Sequence, residues 1–94
     1  MRTILQGRKE CYFTHRTDDL EEHHIFGASN RKHSEEYGLK VWLTHDWHNE
    51  PPNGAHHCRK TDLFLKQIAQ SAFEHTYGNR EDFMRIFGRN YLND

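Results

Sequence analysis

The stretch Leu20-Glu21-Glu22-His23-His24-Ile25-Phe26 decides both the fold and the candidate chemistry of this 94-residue chain. Two adjacent histidines stand between a pair of carboxylates and a pair of apolar residues, and Gly27 follows. This pattern predicts a strand over residues 20–25, broken at the glycine. Because neighbouring side chains of a strand point to opposite faces, His23 and His24 are predicted to have different roles. One would face a metal ion or a partner side chain, and the other would face a substrate.

The composition is that of one small domain. Hydrophobic residues make up 34% of the chain, and the mean hydropathy is −1.09. A domain of this size buries about 60–65% of its unfolded surface, so its core is small. A metal ion or a homodimer would be a useful supplement to that core. We place the domain at residues 10–94 and expect residues 1–9 to form a flexible N-terminal segment.

The charge balance limits the choice of partners. Thirteen basic and 14 acidic residues give a net charge of −1, whereas a nucleic-acid-binding domain is usually basic. Contacts with DNA would therefore come from local patches, and the candidates are Arg31 with Lys32 and Arg59 with Lys60. A solvated surface explains these four residues equally well.

The remaining composition points to the cytoplasm. The two cysteines, Cys11 and Cys58, form neither a Cys-x-x-Cys pair nor a disulfide framework, which is typical of a reducing compartment. The sequence has no apolar run of the length that a signal peptide or a membrane span requires, so we expect no membrane partner.

Hydrophobic periodicity predicts a small α+β domain, with a short β-hairpin, a long intervening loop and C-terminal helices. Ser34, Thr61 and Asn79 are the predicted N-caps of three helices, and Gly38 and Gly88 are predicted helix ends. The predicted elements are strands at 10–13, 20–25 and 39–43, short helices at 34–37 and 46–49, a loop at 50–54, and longer helices at 61–77 and 79–87.

The histidines carry the candidate chemistry. Nine occur in the chain, and His23, His24, His48 and His56 lie beside predicted strands and loops. Neutral imidazole binds borderline divalent metals, and it is also the side chain best suited to act as a general base near neutral pH. Phosphodiester hydrolysis uses both properties, since a metal neutralises charge on the phosphate and a base deprotonates the attacking water. Asn49 has the amide to orient an imidazole or a loop carbonyl.

Most of the chain resembles a known group of proteins. It is similar to small HNH-like proteins encoded by phages and prophages of Gram-positive bacteria, which are distantly similar to the recombination-enhancement nucleases of phages. The similarity covers residues 10–92, and it rests on His23-His24-Ile25-Phe26-Gly27, Asn30-Arg31-Lys32, Val41-Trp42-Leu43-Thr44, His48-Asn49, Gly54-Ala55-His56 and the segments at 11–20, 34–39 and 83–92.

The resemblance implies a ββα-metal core and a metal-dependent endonuclease that hydrolyses DNA in the cytoplasm of a bacterial host. On this pattern His23 and His48 are metal ligands, His24 is the general base, and Asn49 orients the site. His56 is a third ligand or a phosphate contact. The metal would be a divalent ion (magnesium, manganese, nickel, cobalt or zinc). One metal site per subunit would nick one strand unless the protein dimerises.

The chain departs from this family at two places. Many HNH proteins bind a structural zinc ion through four cysteines, and the corresponding positions here are Cys11, Thr14, Thr44 and Trp47, which exclude that site. A rewired site would need His15 and His45 to join Cys11. Relatives also carry Phe-Asn after the last histidine, where this chain has His57-Cys58.

Two other hypotheses remain open at this point. The chain could be a catalytically inactive HNH-like module that binds DNA or a host or phage protein. It could also be a histidine-rich structural domain without a site. Convergence of His23 and His48 with a third ligand would exclude the structural domain.

Overall fold

The computed structural model describes residues 1–92 and has the predicted α+β architecture. Strands β1 (Leu20–His24) and β2 (Lys40–Thr44) pair antiparallel, with His23 opposite Val41 and His24 opposite Lys40. The helices are α1 (Arg31–Tyr37), α2 (His45–Asn49), α3 (Arg59–Thr76) and α4 (Arg80–Phe87), and a 3₁₀ turn (Ala28–Asn30) precedes α1. Within residues 1–92, none of the helices has the length and apolar character needed to cross a membrane.

The two faces of the hairpin have different neighbours. Paired residues of an antiparallel sheet lie on the same face, so His23 shares a face with Val41, which is fully buried in the core. His24 shares the opposite face with Lys40. Strand β2 is buried on both faces, since Lys40 is only 2% exposed.

The N-terminal residues line the free edge of β2 without forming a strand. The Ile4 amide donates to the Gly38 carbonyl, and the Tyr12 amide donates to the Trp42 carbonyl. The strand predicted at residues 10–13 is wrong, because this segment turns sharply and the His15 amide donates back to the Cys11 carbonyl. The Ile4 hydrogen bond attaches residues 1–9 to Gly38, two residues before β2. The flexibility of this segment stays a prediction.

Helix α1 begins earlier than predicted. Ser34 is a buried residue inside the helix, so its predicted role as N-cap is wrong. Its hydroxyl accepts from the Phe26 amide and donates to the Phe26 carbonyl, both at 2.9 Å, which fixes the chain after β1 onto α1. Gly38 ends the helix in the left-handed conformation, as predicted.

Helix α3 also begins before its predicted cap. Cys58 occupies the N-cap position and Thr61 is buried within the first turn, so the Thr61 cap is wrong. Leu65, Ala69 and Phe73 form the buried stripe of this helix, at the predicted three- and four-residue steps. The predicted turn of helix at 46–49 and the loop at 50–54 are confirmed, with α2 one residue longer.

Aromatic rings from three segments form the centre of the core. Phe26 lies 4.6 Å from Phe87 and 5.5 Å from Phe83 between ring centroids, and Phe73 lies 5.4 Å from Phe83. Buried Gln70 holds the C-terminal tail, because its side-chain Oε1 accepts a hydrogen bond from the Tyr91 backbone amide at 2.7 Å. The C-terminal tail therefore packs back against α3.

Asn79 caps α4, as predicted, and the cap gives a test of the fold. Its side chain accepts from the Asp82 amide, and the Asp82 carboxylate accepts from the Asn79 amide. We expect Asn79→Ala to lower the free energy of unfolding by about 1 kcal/mol, because it leaves an amide of the first turn without its acceptor. Urea unfolding measures this, with Asn79→Asp as the control that retains the cap. An unchanged midpoint in Asn79→Ala would contradict the assignment.

Candidate metal centre

Three histidines from three segments converge at one end of the hairpin. His23 comes from β1, His48 from α2, and His56 from the loop before α3. Their ligand atoms all lie within 4.8 Å of one another. The His48 and His56 Nε2 atoms are 3.1 Å apart, and the His23 ring centroid lies 5.0 Å from that of His48 and 5.1 Å from that of His56.

Local backbone pairing produces this convergence. The His56 amide donates to the His48 carbonyl at 3.1 Å, and the Ala55 amide donates to the Trp47 carbonyl at 2.7 Å. The loop at 50–54 therefore reverses the chain and returns His56 beside His48. Gly54 is required at this turn, because a Cβ there would lie 2.5 Å from the Glu50 carbonyl oxygen.

His23 is the buried member of the group. It is 3% exposed, and its Nε2 has no hydrogen-bond partner among the described residues. Burial, followed by the charges of His48, His56, His24 and Lys66, lowers the pKa of His23 to about 3. His23 is thus a neutral imidazole at physiological pH, which is the form that binds a metal ion.

Glu21 sets the orientation of His48. Its Oε1 accepts from His48 Nδ1 at 2.7 Å and from Asn49 Nδ2 at 3.1 Å. A proton on Nδ1 leaves a lone pair on Nε2, the atom that faces His56. Glu21 lies on the same face of β1 as His23, two residues away, so one strand supplies both a candidate ligand and the carboxylate that orients a second.

The charges around this carboxylate follow from the same contacts. Hydrogen bonds from His48, and then from His45 and Asn49, lower the pKa of Glu21. The Glu21 carboxylate in turn raises the pKa of His45, whose Nδ1 lies 2.8 Å from Glu21 Oε2. Burial and the neighbouring His48 lower the pKa of His56. The lowered pKa of Glu21 keeps its carboxylate ionised, and the lowered pKa values of His23 and His56 favour the neutral form of those two imidazoles.

The three histidines fit a divalent metal ion. Two nitrogens bound tetrahedrally at about 2.0–2.1 Å stand about 3.4 Å apart, close to the separation of the His48 and His56 Nε2 atoms. The unpartnered Nε2 of His23 is the second sign, since a buried nitrogen without a hydrogen bond costs about 1–3 kcal/mol unless something binds it. Three protein ligands leave one coordination position open, as in catalytic zinc sites.

His24 belongs to a different cluster, on the opposite face of the hairpin. Its Nε2 lies 2.9 Å from Glu35 Oε2 and 3.7 Å from Glu22 Oε1. The buried Lys40 ammonium lies 2.5 Å from the same Glu35 oxygen and 3.2 Å from Glu22. Glu22, His24 and Glu35 also form a set with metal-ligand spacing, but Lys40 already forms ion pairs with both carboxylates.

The basic residues predicted to contact DNA divide between two regions. Arg31 and Lys32 line an open cavity with His24 and Glu35. Arg59 lines a cavity with His56, while Lys60 lines an apolar pocket with Phe13, Trp47 and Phe64. Of the four basic residues predicted to contact DNA, Arg59 lines the same cavity as His56 of the three-histidine group.

The rewired cysteine site is absent from the described part of the chain. Cys11 is buried, and its Sγ lies 3.7 Å from the Thr44 hydroxyl. His15 faces Glu10, and His45 binds Glu21. The Cys11 hydrogen bond to Thr44 and the stack of Phe13 on Trp47, with ring centroids 4.4 Å apart, occupy this region instead.

The role of Glu21 was not predicted from the sequence. The signal was present in the pattern of β1, because a carboxylate two residues before His23 lies on the same strand face. Lys40 was also missed, since a lysine in an alternating strand is ordinarily assigned to solvent.

Comparison with known proteins adds no relative: no protein-family model, no curated protein and no solved structure matches the chain.

His23 makes the metal-free protein sensitive to acid. Its pKa is about 3 when folded and near 6.5 when unfolded, so between these pH values the unfolded state binds the extra proton. Stability is therefore lost as the pH falls below 6.5, at about 1.4 kcal/mol per pH unit from this residue. We expect urea unfolding with a chelator to show a steeper pH dependence for the wild type than for His23→Asn. Parallel curves would contradict a buried neutral His23.

Glu21 is predicted to raise the metal affinity of the three histidines. We expect Glu21→Gln to weaken zinc or cobalt binding about 10- to 100-fold, because the oriented Nδ1–H of His48 loses its ionised acceptor. Isothermal titration calorimetry measures this. Glu22→Gln is the matched control, since Glu22 is the next residue but faces the Lys40 cluster, and its affinity should match the wild type. Equal losses in both variants would remove Glu21 from the site.

Proposed function

We propose that this chain is a metal-dependent HNH-type endonuclease that hydrolyses phosphodiester bonds of DNA. The observation that carries the proposal is the convergence of His23, His48 and His56, with ligand atoms within 4.8 Å of one another. Their positions in the chain match the order in which the HNH-like resemblance places its metal ligands. The antiparallel β1–β2 hairpin followed directly by α2 supports the ββα arrangement of that family.

The residues of the site would bind the ion and orient one of its ligands. His23, His48 and His56 hold the ion, with His56 on the solvent side, where a substrate can approach. Glu21 and Asn49 keep His48 in the ligating orientation. A divalent ion bound here supplies a Lewis acid for a phosphoryl oxygen and for the leaving oxygen. In the reaction, water adds to phosphorus, the bond to the leaving oxygen breaks, and that oxygen receives a proton.

His24 is the proposed general base. The carboxylate of Glu35 accepts a hydrogen bond from the His24 Nε2, which orients the ring and leaves Nδ1 to accept a proton. This role requires the end of β1 to bring His24 to the same substrate as the three-histidine group, although the two histidines leave the strand on opposite faces.

The placement of His24 favours the second candidate, an inactive HNH-like module that binds DNA or a protein. Its ring is engaged by Glu35 and lies in the cluster with Lys40. The net charge of −1 points in the same direction, because a nuclease gains from a basic surface. In this alternative the three histidines hold a structural ion.

Plasmid cleavage separates the two candidates. We expect the purified protein to nick supercoiled plasmid with at least one of magnesium, manganese, nickel, cobalt and zinc. His56→Ala should lose the activity together with metal binding, whereas His57→Ala, the exposed neighbour, should retain both. His24→Ala should lose cleavage and keep metal binding, because it removes the base and leaves the ligands.

Each other outcome has a defined meaning. Cleavage by His24→Ala at the wild-type rate would remove His24 as the base while leaving the nuclease intact. Failure of the wild type to cleave duplex or single-stranded DNA with any of these metals would favour the binding module. Retained metal binding in His56→Ala would contradict the assignment of the centre.

A further inference from the structure

Three cations surround one cavity beside the metal centre. Arg59, Lys66 and Arg89 line a cavity of about 210 Å³, together with one carboxylate, Asp62. Asp62 lies 2.9 Å from Lys66 and offsets one of the three positive charges. The cavity retains a positive excess on a chain whose net charge is −1. Such a local excess attracts an anion even when the whole protein does not.

The fold builds this cavity from two distant segments. Arg59 and Lys66 are seven residues apart on α3 and so lie on the same side of the helix, and Arg89 follows the left-handed Gly88 that ends α4. The Tyr91 ring holds the cations in place: Lys66 Nζ lies 5.5 Å and Arg89 Cζ 5.3 Å from its centroid. Gln70 fixes Tyr91 in turn through the Tyr91 amide.

The cavity adjoins the three-histidine group. Arg59 and Asp62 line both this cavity and the one that contains His56. Lys66 is also close enough to His23 for its charge to act on that imidazole. A strand of DNA that placed one phosphate at the three histidines would therefore have this cavity beside it.

We propose that Arg59, Lys66 and Arg89 form a subsite for a backbone phosphate of the DNA strand, next to the phosphate at the metal centre. The ligand is a phosphodiester, which the guanidinium groups and the ammonium group bind through its anionic oxygens without reading the base. The inference rests on the proposed action on DNA, and it adds Lys66 and Arg89 to the nucleic-acid-binding residues predicted from sequence.

Metal-free DNA binding tests the subsite independently of cleavage. Fluorescence anisotropy with a labelled single-stranded 12-mer in EDTA gives the affinity of the wild type, Lys66→Gln and Arg89→Gln. We expect each variant to bind about three- to tenfold more weakly and to reduce the slope of log affinity against log salt by about 0.7. Lys66→Arg should restore both values, because it retains the charge.

Two controls sharpen this test. Lys9→Gln removes one positive charge from the N-terminal segment, where Lys9 lies over the Trp42 ring, and should leave the affinity unchanged. Asp62→Asn should bind the 12-mer more tightly, since it removes the one carboxylate of the cavity. Circular dichroism spectra and thermal midpoints identify any variant that fails to fold. If a Gln variant fails to fold, Lys66→Arg and Asp62→Asn provide the test.

The results distinguish the subsite from the nuclease proposal. Wild-type affinity in both Gln variants, or no binding of the 12-mer by the wild type, would overturn the subsite even if plasmid cleavage is observed. Inorganic phosphate binding is compared in the same variants. If Lys66→Gln and Arg89→Gln lost phosphate binding but kept 12-mer binding, the proposal would also be overturned, because the site would then bind a free anion. Charge-dependent binding without cleavage would support the subsite and contradict the nuclease.

Discussion

The burial of His23 is the constraint on which the rest of the structure depends. The pairing of His23 with Val41 places an imidazole on the core side of the hairpin, where its Nε2 has no partner within residues 1–92. A small domain with a mean hydropathy of −1.09 has little stability to offset an unsatisfied buried nitrogen. The unpartnered His23 nitrogen therefore lowers the free energy of unfolding. A bound ion would raise the free energy of unfolding, since metal binding and folding are thermodynamically coupled.

Glu21 links this buried residue to the rest of the centre. One strand carries His23 and the carboxylate that binds His48, His45 and Asn49, so β1 and α2 are joined through a single side chain. The backbone pairing of the 55–56 segment with residues 47 and 48 then adds His56. Each ligand comes from a different element, and the geometry of the site consequently depends on the complete hairpin, helix and loop arrangement.

Sequence reasoning located the β-hairpin, the helices and the histidines, because these leave periodic or compositional signals. It failed where tertiary contacts override a local preference. Ser34 resembles an N-cap, but its hydroxyl binds the Phe26 backbone from inside α1. Residues 10–13 have strand composition, yet a sharp turn places Cys11 against Thr44. The cation cavity was invisible for a similar reason, since Arg59 and Arg89 are 30 positions apart in sequence and meet only through the packing of α3 and the tail.

The two faces of the hairpin differ in the charged and polar groups that they carry. On one face, the imidazoles of His48 and His56 lie around the unpartnered Nε2 of His23, and this arrangement suits a cation. On the other face, the buried ammonium of Lys40 lies between the carboxylates of Glu22 and Glu35, and the His24 ring lies 2.9 Å from Glu35. A cation entering there would have to displace the buried Lys40 ammonium from two carboxylates, which would leave that ammonium without its partners. Of the two groups with ligand spacing, the three histidines are therefore the better candidate for binding a metal ion, and the Lys40 network orients His24.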